Sequence, residues 1–289
     1  MRSRIAVSVL AAGLTAVLAA GLTIWACARP APKTARPRIH QALFDEAHHN
    51  VHTAAGRYKP FVDLIAPEGY VVTPNTAPFT PESLEVYDLL VIASPRSAGP
   101  EAPLEARGRP AFTEAEARAV QEWVRGGGGL LLVTDHYPVG GAAQILADRF
   151  GITMSNAFTE DPEHQRLTPM EIVYNRKEGL IGEHPVTRGI KKIITFGGQS
   201  LHGPLESANL LRLGPHAMDR LPDGRRIPAD GRSQALALPY DNGRVVVLGE
   251  AAMLTIQENE TGTIGFTVPG YDNRQFALNV VRWLTGDLQ

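Results

Sequence analysis

Short apolar runs alternate along the chain with longer amphipathic stretches. The clearest apolar runs, rich in leucine, isoleucine and valine, cover residues 39–44, 70–73, 89–93, 130–134 and 245–248. Apolar side chains recur at helical spacing over residues 54–65, 113–125, 141–150 and 273–284. Apolar strands that alternate with amphipathic helices are typical of a parallel sheet covered by helices on both faces. The pattern therefore predicts an α/β fold.

Cap and turn residues mark the ends of two of these helices. Thr113 and Glu116 form a capping-box pair at the start of one helix, and Asp272 or Asn273 is expected to cap the last one. The four glycines at 126–129 end the first of these helices and lead into the next strand. Because this glycine run precedes a strand and lacks a following Lys-Ser or Lys-Thr, it does not match a phosphate-binding loop.

The N-terminal 27 residues have the layout of an export signal or a membrane anchor. Arg2 and Arg4 precede an uncharged apolar run over residues 5–26, which ends at Cys27. The residues before Cys27 resemble a bacterial lipobox, although the bulky Trp25 departs from the usual pattern. We expect either a cleaved lipoprotein signal peptide, with Cys27 lipidated, or an uncleaved anchor.

Three segments follow from these features, namely a leader over 1–27, a linker over 28–38 and a body over 39–289. Three prolines make the linker stiff and extended. The expected location is the cell envelope, with an extracytoplasmic body and other envelope proteins as partners. Basic residues in the linker would oppose export of the body if the anchor stayed uncleaved, whereas cleavage would remove that obstacle. The location of the body therefore depends on whether the leader is cleaved. Inside the body the pattern weakens over 151–232, which predicts an elaborated crossover or a small subdomain.

Charge and cysteine content exclude several classes of function. Lysine and arginine total 28 against 30 aspartates and glutamates, which gives a formal net charge of −2. A large cationic surface is therefore not expected, and nucleic acid is not a predicted partner. The single cysteine, Cys27, lies in the leader. This position excludes an internal disulfide framework, a cysteine-rich zinc module and a thiol nucleophile in the body.

Polar residues directly follow four of the predicted strands. They are Glu46, His48, His49 and Asn50 after the first strand, Ser94 after the third, Asp135 and His136 after the fourth, and Glu250 after the last. Since parallel strands point their carboxyl ends at one edge of a sheet, we expect a single cleft there that binds a ligand. In the competing interpretation these residues have only structural roles. Asp45 or Asn50 then caps a helix, and the histidines lie on the surface or fill the interior with their hydrogen bonds satisfied.

A metal site and a serine nucleophile find less support in the spacing of the residues. His48 and His52 stand four residues apart, and a carboxylate could complete a metal site with them. No tight His-x-His or His-Glu-x-x-His spacing occurs, so we expect neither a metal nor another cofactor. Ser200 follows Gly198 as in a nucleophile elbow, but the second glycine of the motif is displaced to Gly203. A serine hydrolase is therefore not the favoured interpretation.

Four stretches of the body occur in an order that matches a known superfamily. They are residues 44–50 (FDEAHHN), 123–132 (WVRGGGGLLL) and 184–190 (HPVTRGI), with Asp272, Asn273, Asn279, Trp283 and Leu284 near the C-terminus. Together they resemble the class I glutamine amidotransferase-like superfamily, in its branch without the catalytic cysteine, which includes trehalose-utilisation-like and intraflagellar-transport proteins. The resemblance implies a flavodoxin-like three-layer sandwich with a mostly parallel sheet, and a cleft that binds ligands, often proposed to be carbohydrates.

The chain departs from the catalytic members of that superfamily at two places. Asp135 and His136 stand in the stretch that corresponds to the Gly-x-Cys-x-Gly elbow, and Glu250 ends the late strand without a His-x-Glu pair. Glutamine hydrolysis by that route is therefore excluded. The prediction is a membrane-tethered domain that binds a small polar ligand, with Tyr137 and Phe158 as candidate aromatic platforms for a sugar. The alternatives are a hydrolase that uses carboxylate, histidine or metal chemistry in the same cleft, and a structural subunit of an envelope complex.

Overall fold

The computed structural model describes residues 38–259 and 262–289, which fall within one compact unit. The predicted leader with Cys27, and all of the linker except its last residue, lie outside the described residues. Within the two described ranges, no helix has both the length and the apolar character that a membrane span requires.

The described ranges contain short helices and many strands. The α-helices are α1 (Lys59–Ile65), α2 (Pro81–Leu84), α3 (Leu104–Arg107), α4 (Glu114–Arg125), α5 (Gln144–Asp148) and α6 (Asn273–Leu284). The strands are β1 (His40–Asp45), β2 (Tyr70–Asn75), β3 (Leu89–Ala93), β4 (Gly129–Val133), β5 (Thr153–Met154), β6 (Phe158–Glu160), β7 (Val173–Asn175), β8 (Lys192–Ile194), β9 (Leu201–His202), β10 (Ala208–Arg212), β11 (Met218–Arg220), β12 (Arg226–Pro228), β13 (Ser233–Tyr240), β14 (Gly243–Leu248), β15 (Ile256–Asn259) and β16 (Gly262–Gly265).

A large central sheet organises the body. Its strand order is β2-β1-β3-β4-β14-β13-β9-β5, and β10 also pairs with β13. The five strands from β2 to β14 run parallel, whereas β13 runs antiparallel to β14. The predicted α/β fold with a mostly parallel sheet is therefore confirmed. The weakly patterned region between β4 and β13 holds eight short strands, β5 to β12, and forms an elaborated connection.

Alternate residues of the parallel strands enter two separate apolar cores. Phe44, Val91 and Leu131 pack on the side that holds α1 and α6, together with Phe276 of α6. The neighbouring strand residues, such as Leu43, Leu90 and Leu130, pack on the opposite side with apolar side chains of α4 and α5. Side chains of a strand alternate between the faces of its sheet, so continuous apolar runs produce three layers.

The two predicted helix caps turn out differently. At α4 the capping box forms as predicted, because Oγ1 of Thr113 accepts from the Glu116 amide at 3.2 Å and Oε2 of Glu116 accepts from the Thr113 amide at 3.0 Å. Asp272 precedes α6 but makes no capping bond with its side chain. Its carboxylate instead accepts from the amides of Lys191 at 2.7 Å and Lys192 at 3.0 Å, which ties α6 to the start of β8.

Two helices are shorter than their sequence pattern predicts. Helix α1 begins at Lys59, because the preceding residues form turns, including a hydrogen bond from the Gly56 amide to the Thr53 carbonyl at 3.1 Å. Helix α5 covers only Gln144–Asp148 and follows a turn of 3₁₀-helix at Val139–Gly141. The chain that leaves β1 therefore reaches α1 through a loop over 46–58, and this loop borders the candidate site.

Candidate functional site

A cavity of about 180 Å³ lies at the carboxyl edge of the parallel strands. Asp135 and His136 enter it from the end of β4, and Glu250 enters it from the end of β14. Its other lining residues come from the loop after β1, from the segment after β8, from the turn after β14 and from the β15-β16 hairpin. They are Val51, His52, Arg57, Phe196, Gly197, Ala252, Gln257 and Ile264. We call it the carboxyl-edge cavity. Three of the predicted ligand-binding residues therefore share one cavity.

Glu250 is held in place by backbone amides although it is only 1% exposed. Its Oε1 accepts from the Ala252 amide at 2.6 Å, and its Oε2 accepts from the Met253 amide at 2.9 Å. Burial, followed by the charge of Asp135, raises the pKa of Glu250 well above its ordinary range, although the amide hydrogen bonds act in the opposite direction. Burial and a neighbouring carboxylate thus favour the protonated form of Glu250.

Close backbone contact fixes the position of Glu250 relative to the segment after β8. A Cβ atom on Gly198 would lie 2.4 Å from the carbonyl oxygen of Gly249 and 2.8 Å from Cβ of Glu250. The amide of Gln199 also donates to that Gly249 carbonyl at 2.8 Å. Only glycine permits this approach, so residue 198 brings the crossover region against the end of β14.

Asp135 faces the same cavity and is partly exposed, at 21% of its side chain. Its Oδ1 accepts from the amide of His136 at 2.8 Å and lies 3.6 Å from Nε2 of the same histidine. Burial raises the pKa of Asp135, and His136 opposes that shift by its charge and its amide. Two carboxyl groups with raised pKa values therefore meet in one small cavity.

The ring of His136 has a defined orientation. Its Nδ1 lies 2.6 Å from the carbonyl oxygen of Tyr137, which can only accept, so Nδ1 carries the hydrogen. In the neutral ring Nε2 is then a hydrogen-bond acceptor. The ring stacks on Phe158 at a centroid distance of 4.1 Å, and the guanidinium of Arg220 lies 4.6 Å from the same Phe158 ring. Phe158, a predicted sugar platform, thus contacts both His136 and Arg220.

His52 belongs to the cavity but was not among the predicted ligand-binding residues. It is 3% exposed, and within the described ranges its Nδ1 has no hydrogen-bond partner. Burial, then the charges of Arg57 and Arg96, lowers the pKa of His52 to about 4, so its ring is neutral at physiological pH. The sequence offered one signal, since His52 continues the polar cluster after β1, but the cluster suggested it only as a metal partner of His48.

His48 and Asn50, which were predicted to bind ligand, are buried in a hydrogen-bond network beside the cavity. Nδ1 of His48 lies 2.9 Å from both carboxylate oxygens of Asp45, and its Nε2 lies 2.9 Å from Oε1 of Glu116. Asn50 donates to Asp45 at 3.0 Å and accepts from the His48 amide at 3.1 Å. Burial lowers the pKa of His48, but Asp45 and Glu116 outweigh it and raise that pKa overall. Both ring nitrogens are therefore already engaged.

The three remaining predicted residues lie on neighbouring loops and are not part of the lining. Glu46 accepts from the amide of Ala54 at 2.9 Å. His49 is exposed, with a φ of 45°, and its carbonyl accepts from Nε of Arg96 at 2.8 Å. Ser94 is buried, with a φ of 49°, and its Oγ has no partner among the described residues. A role for these three in ligand binding stays a prediction.

Ser200, the other serine of interest, is part of a buried polar network. Its Oγ donates to Oδ2 of Asp219 at 2.6 Å and accepts from Nε of Arg232 at 2.5 Å. Thr159 donates to the other Asp219 oxygen at 2.6 Å. No histidine contacts Ser200 in this network, so it links strands and is not activated as a nucleophile. In the described ranges, no three histidine, cysteine or acidic side chains are grouped so that they could hold a metal ion.

Comparison with known proteins identifies the fold and no family. No family model matches the chain, and no curated protein sequence matches it. The N-terminal domain of mmIFT52 is similar in structure, with a TM-score of 0.61 at 18% identity, over 85% of this chain and 97% of that one. A cytoplasmic protein from Salmonella typhimurium has a TM-score of 0.52 at 13% identity, over 85% of this chain and 99% of that one.

A ThuA-like protein from Bacteroides uniformis also overlaps with the chain, with a TM-score of 0.48 at 16% identity, over 89% of this chain and 95% of that one. At such identities a structural likeness concerns the arrangement of strands and helices. The first two structures therefore show that this α/β fold occurs in other proteins. What any of them binds has to be argued separately for this chain, from its own side chains.

Proposed function

We propose that the chain binds a small polar ligand in the carboxyl-edge cavity. The observation that carries the proposal is that Asp135, His136 and Glu250, from the ends of two neighbouring parallel strands, line one cavity. This edge of an open α/β sheet is where ligands bind, because side chains and backbone groups from several strands converge there. Concave sites with a few convergent polar groups and perturbed pKa values are typical of binding or active sites.

The polar side chains of the cavity support binding more specifically. The His136 ring presents Nε2. Asp135 and Glu250 accept only from backbone amides, and no lysine or arginine of the described residues approaches either carboxyl group within ion-pair distance. Phe196 and Ile264 add apolar surface to the same cavity. A ligand with several hydroxyl or amine groups fits this mixture, and carbohydrates are one such class. We also propose membership of the amidotransferase-like branch without the catalytic cysteine, which the fold and the four sequence stretches support.

Hydrolysis in the same cavity is the second candidate, and one observation favours it. Glu250 is a carboxyl group with a strongly raised pKa, while His136 offers a free Nε2, so a proton donor and a proton acceptor line the same space. A panel of chromogenic glycosides and esters tests this candidate. Turnover that is lost in His136→Gln and retained in His202→Gln, a change at an exposed histidine, would support hydrolysis.

Tethering to the envelope membrane through residues 1–27 remains part of the proposal, with the body on the extracytoplasmic side. Its support is the sequence of the leader, which ends in Cys27. Expression of the full-length chain and of Cys27→Ser in a bacterial host, followed by fractionation, tests lipidation. Release of Cys27→Ser from the membrane fraction supports the lipid anchor, and unchanged retention favours an uncleaved span. The third alternative, a structural subunit of an envelope complex, also stays a prediction.

A thermal-shift screen of the full-length chain tests the binding proposal. A ligand that binds only the folded state stabilises it by about 2.7 kcal/mol at a concentration of 100 times its Kd, which raises Tm measurably. The screen should include sugars, polyols and amines, with Asp135→Asn and the exposed-site control Glu122→Gln run in parallel. We expect a compound that shifts wild type and Glu122→Gln but not Asp135→Asn. An equal shift in Asp135→Asn, or no shift with any compound, would contradict the proposal.

A further inference from the structure

The carboxyl-edge cavity contains more acidic groups than the described residues balance. Asp135 and Glu250 both line it, and Nε2 of His136 lies 3.6 Å from Oδ1 of Asp135. Among the described residues, no lysine or arginine forms an ion pair with either carboxyl group. Arg57 also lines the cavity, but its side chain is exposed. Buried carboxylates are normally paired with a cation or neutralised by a proton.

The other polar atoms of the cavity are mostly acceptors. Nδ1 of His136 carries the hydrogen that bonds the Tyr137 carbonyl, so Nε2 is the nitrogen that can accept. Gln257 uses its amide nitrogen to donate to Oγ1 of Thr255 at 2.7 Å, and its amide oxygen can accept from a ligand. A ligand that satisfies these atoms must therefore bring several hydrogen-bond donors.

A third observation is independent of the acidic pair. His52 lines the cavity, is almost completely buried, and has an Nδ1 without a hydrogen-bond partner in the described part of the chain. Buried polar atoms are rarely left unpaired in folded proteins. Since the other side chains of the lining do not reach this nitrogen, a ligand atom is the natural partner for it.

We infer that the ligand of the carboxyl-edge cavity carries a primary ammonium group, which binds between Asp135 and Glu250 and donates to both carboxylates. This inference rests on the proposed function and narrows its ligand to amines, amino sugars among them. An ammonium group brings three donors and one positive charge. It can therefore pair with the two carboxyl groups, which no lysine or arginine of the described ranges does. Without a bound cation, burial and the charge of Asp135 favour a proton on Glu250 instead.

Binding of the ammonium ion then displaces a proton from the carboxyl pair. The ammonium ion enters with its charge, the proton of Glu250 leaves for solvent, and both carboxyl groups are then ionised. The other titratable or charged groups near the pair are Arg57, His136, His52 and the buried Tyr58 and Tyr174. Burial, with a further contribution from the charge of Glu250, raises the pKa of both phenols above their ordinary value of 10.0. The phenols stay neutral and His52 is neutral already. We therefore assign the released proton to the Asp135 and Glu250 pair, and Asp135→Asn tests that assignment against His136.

Isothermal titration calorimetry of the full-length chain with glucosamine and with glucose tests the inference, since the two sugars differ only in the amine. Buffers of different ionisation enthalpy report the protons released. We expect glucosamine to bind at least about tenfold more tightly than glucose, which corresponds to 1.4 kcal/mol, and to release up to one proton per ligand at neutral pH. Ethanolamine against ethylene glycol repeats the comparison with smaller molecules.

Asp135→Asn provides the matched variant, because its amide oxygen can still accept from the His136 amide while the charge is removed. The amine preference and the proton release should both disappear in this variant and persist in Glu122→Gln. Equal binding of both members of each pair would overturn the inference and leave the proposed function intact. Absence of binding by all four compounds, with unchanged Tm, would count against the inference. Proton release that persists in Asp135→Asn would overturn the assignment to this pair.

Discussion

Nε2 of His48 lies 2.9 Å from Oε1 of Glu116, although 68 residues separate them in the chain. The same imidazole bonds Asp45 at the end of β1 through Nδ1, and Glu116 closes the capping box of α4. One histidine therefore fastens the end of a central strand to the start of a helix on the sheet. The loop that follows this strand also carries Val51, His52 and Arg57 of the cavity lining.

Loss of that histidine should destabilise the fold strongly. His48→Ala leaves the carboxylates of Asp45 and Glu116 buried without their shared partner, and such a change typically costs about 3–5 kcal/mol. Chemical denaturation should therefore give an unfolding free energy lower by about 3 kcal/mol or more. The exposed His202 provides the control, and His202→Ala should change the value by less than about 0.5 kcal/mol. A small effect at position 48 would show that the network contributes little.

The raised pKa of His48 also predicts a pH dependence. Above its ordinary value of 6.5, the folded protein keeps a proton on this ring that the unfolded chain has lost. Stability from His48 is thus complete below pH 6.5 and is lost as the pH rises through the raised pKa. Unfolding free energies of wild type and His48→Gln, measured over a pH series, should converge as the pH increases. A difference that stays constant or grows would contradict this assignment.

The pairing of Asp135 with the buried Glu250 predicts a protonated carboxyl group at neutral pH. Because burial and Asp135 raise the pKa of Glu250, infrared spectroscopy of the ligand-free chain should show the carbonyl stretch of a protonated carboxyl group. That band should vanish in Glu250→Gln. In Asp135→Asn it should titrate away at lower pH than in wild type, since the neighbouring negative charge is gone. An unchanged midpoint in Asp135→Asn would show that the two groups do not interact.

Ser200 is expected to matter for stability and not for ligand binding. Ser200→Ala removes the hydroxyl that donates to Asp219 and accepts from Arg232, and it leaves buried polar groups short of a partner. The expected loss is about 1–3 kcal/mol of unfolding free energy. Any ligand found by thermal shift should keep its affinity for the variant within about twofold when the protein is folded. A variant that folds but fails to bind would place Ser200 in the site instead.

The sequence predicts the sheet and part of the site for the same physical reason. Apolar runs mark parallel strands, and the residue that follows a parallel strand must lie at the carboxyl edge. Asp135, His136 and Glu250 could therefore be placed together from the ends of β4 and β14. The elements that carry them have clear periodicity and close glycine contacts, so their positions are strongly determined.

The rest of the site depends on loops whose paths the sequence pattern does not encode. His52 and Arg57 reach the cavity because α1 begins only at Lys59, which leaves a longer loop after β1 than predicted. His48 has the residue type and position of a ligand-binding group, but Glu116, remote in sequence, occupies its second nitrogen. A structural histidine that is buried between carboxylates and a histidine that binds a ligand belong to the same kind of polar cluster. The sequence alone therefore does not distinguish the two roles.

Imidazole NMR of the full-length chain during ligand titration tests the central claim most directly. With the compound that gives the largest thermal shift, the ring signals of His136 and His52 should move with a common Kd. Those of His48, which is enclosed by Asp45 and Glu116, and of the exposed His202 should remain in place. Movement confined to histidines outside the carboxyl-edge cavity, with His136 and His52 unchanged at saturation, would contradict the account.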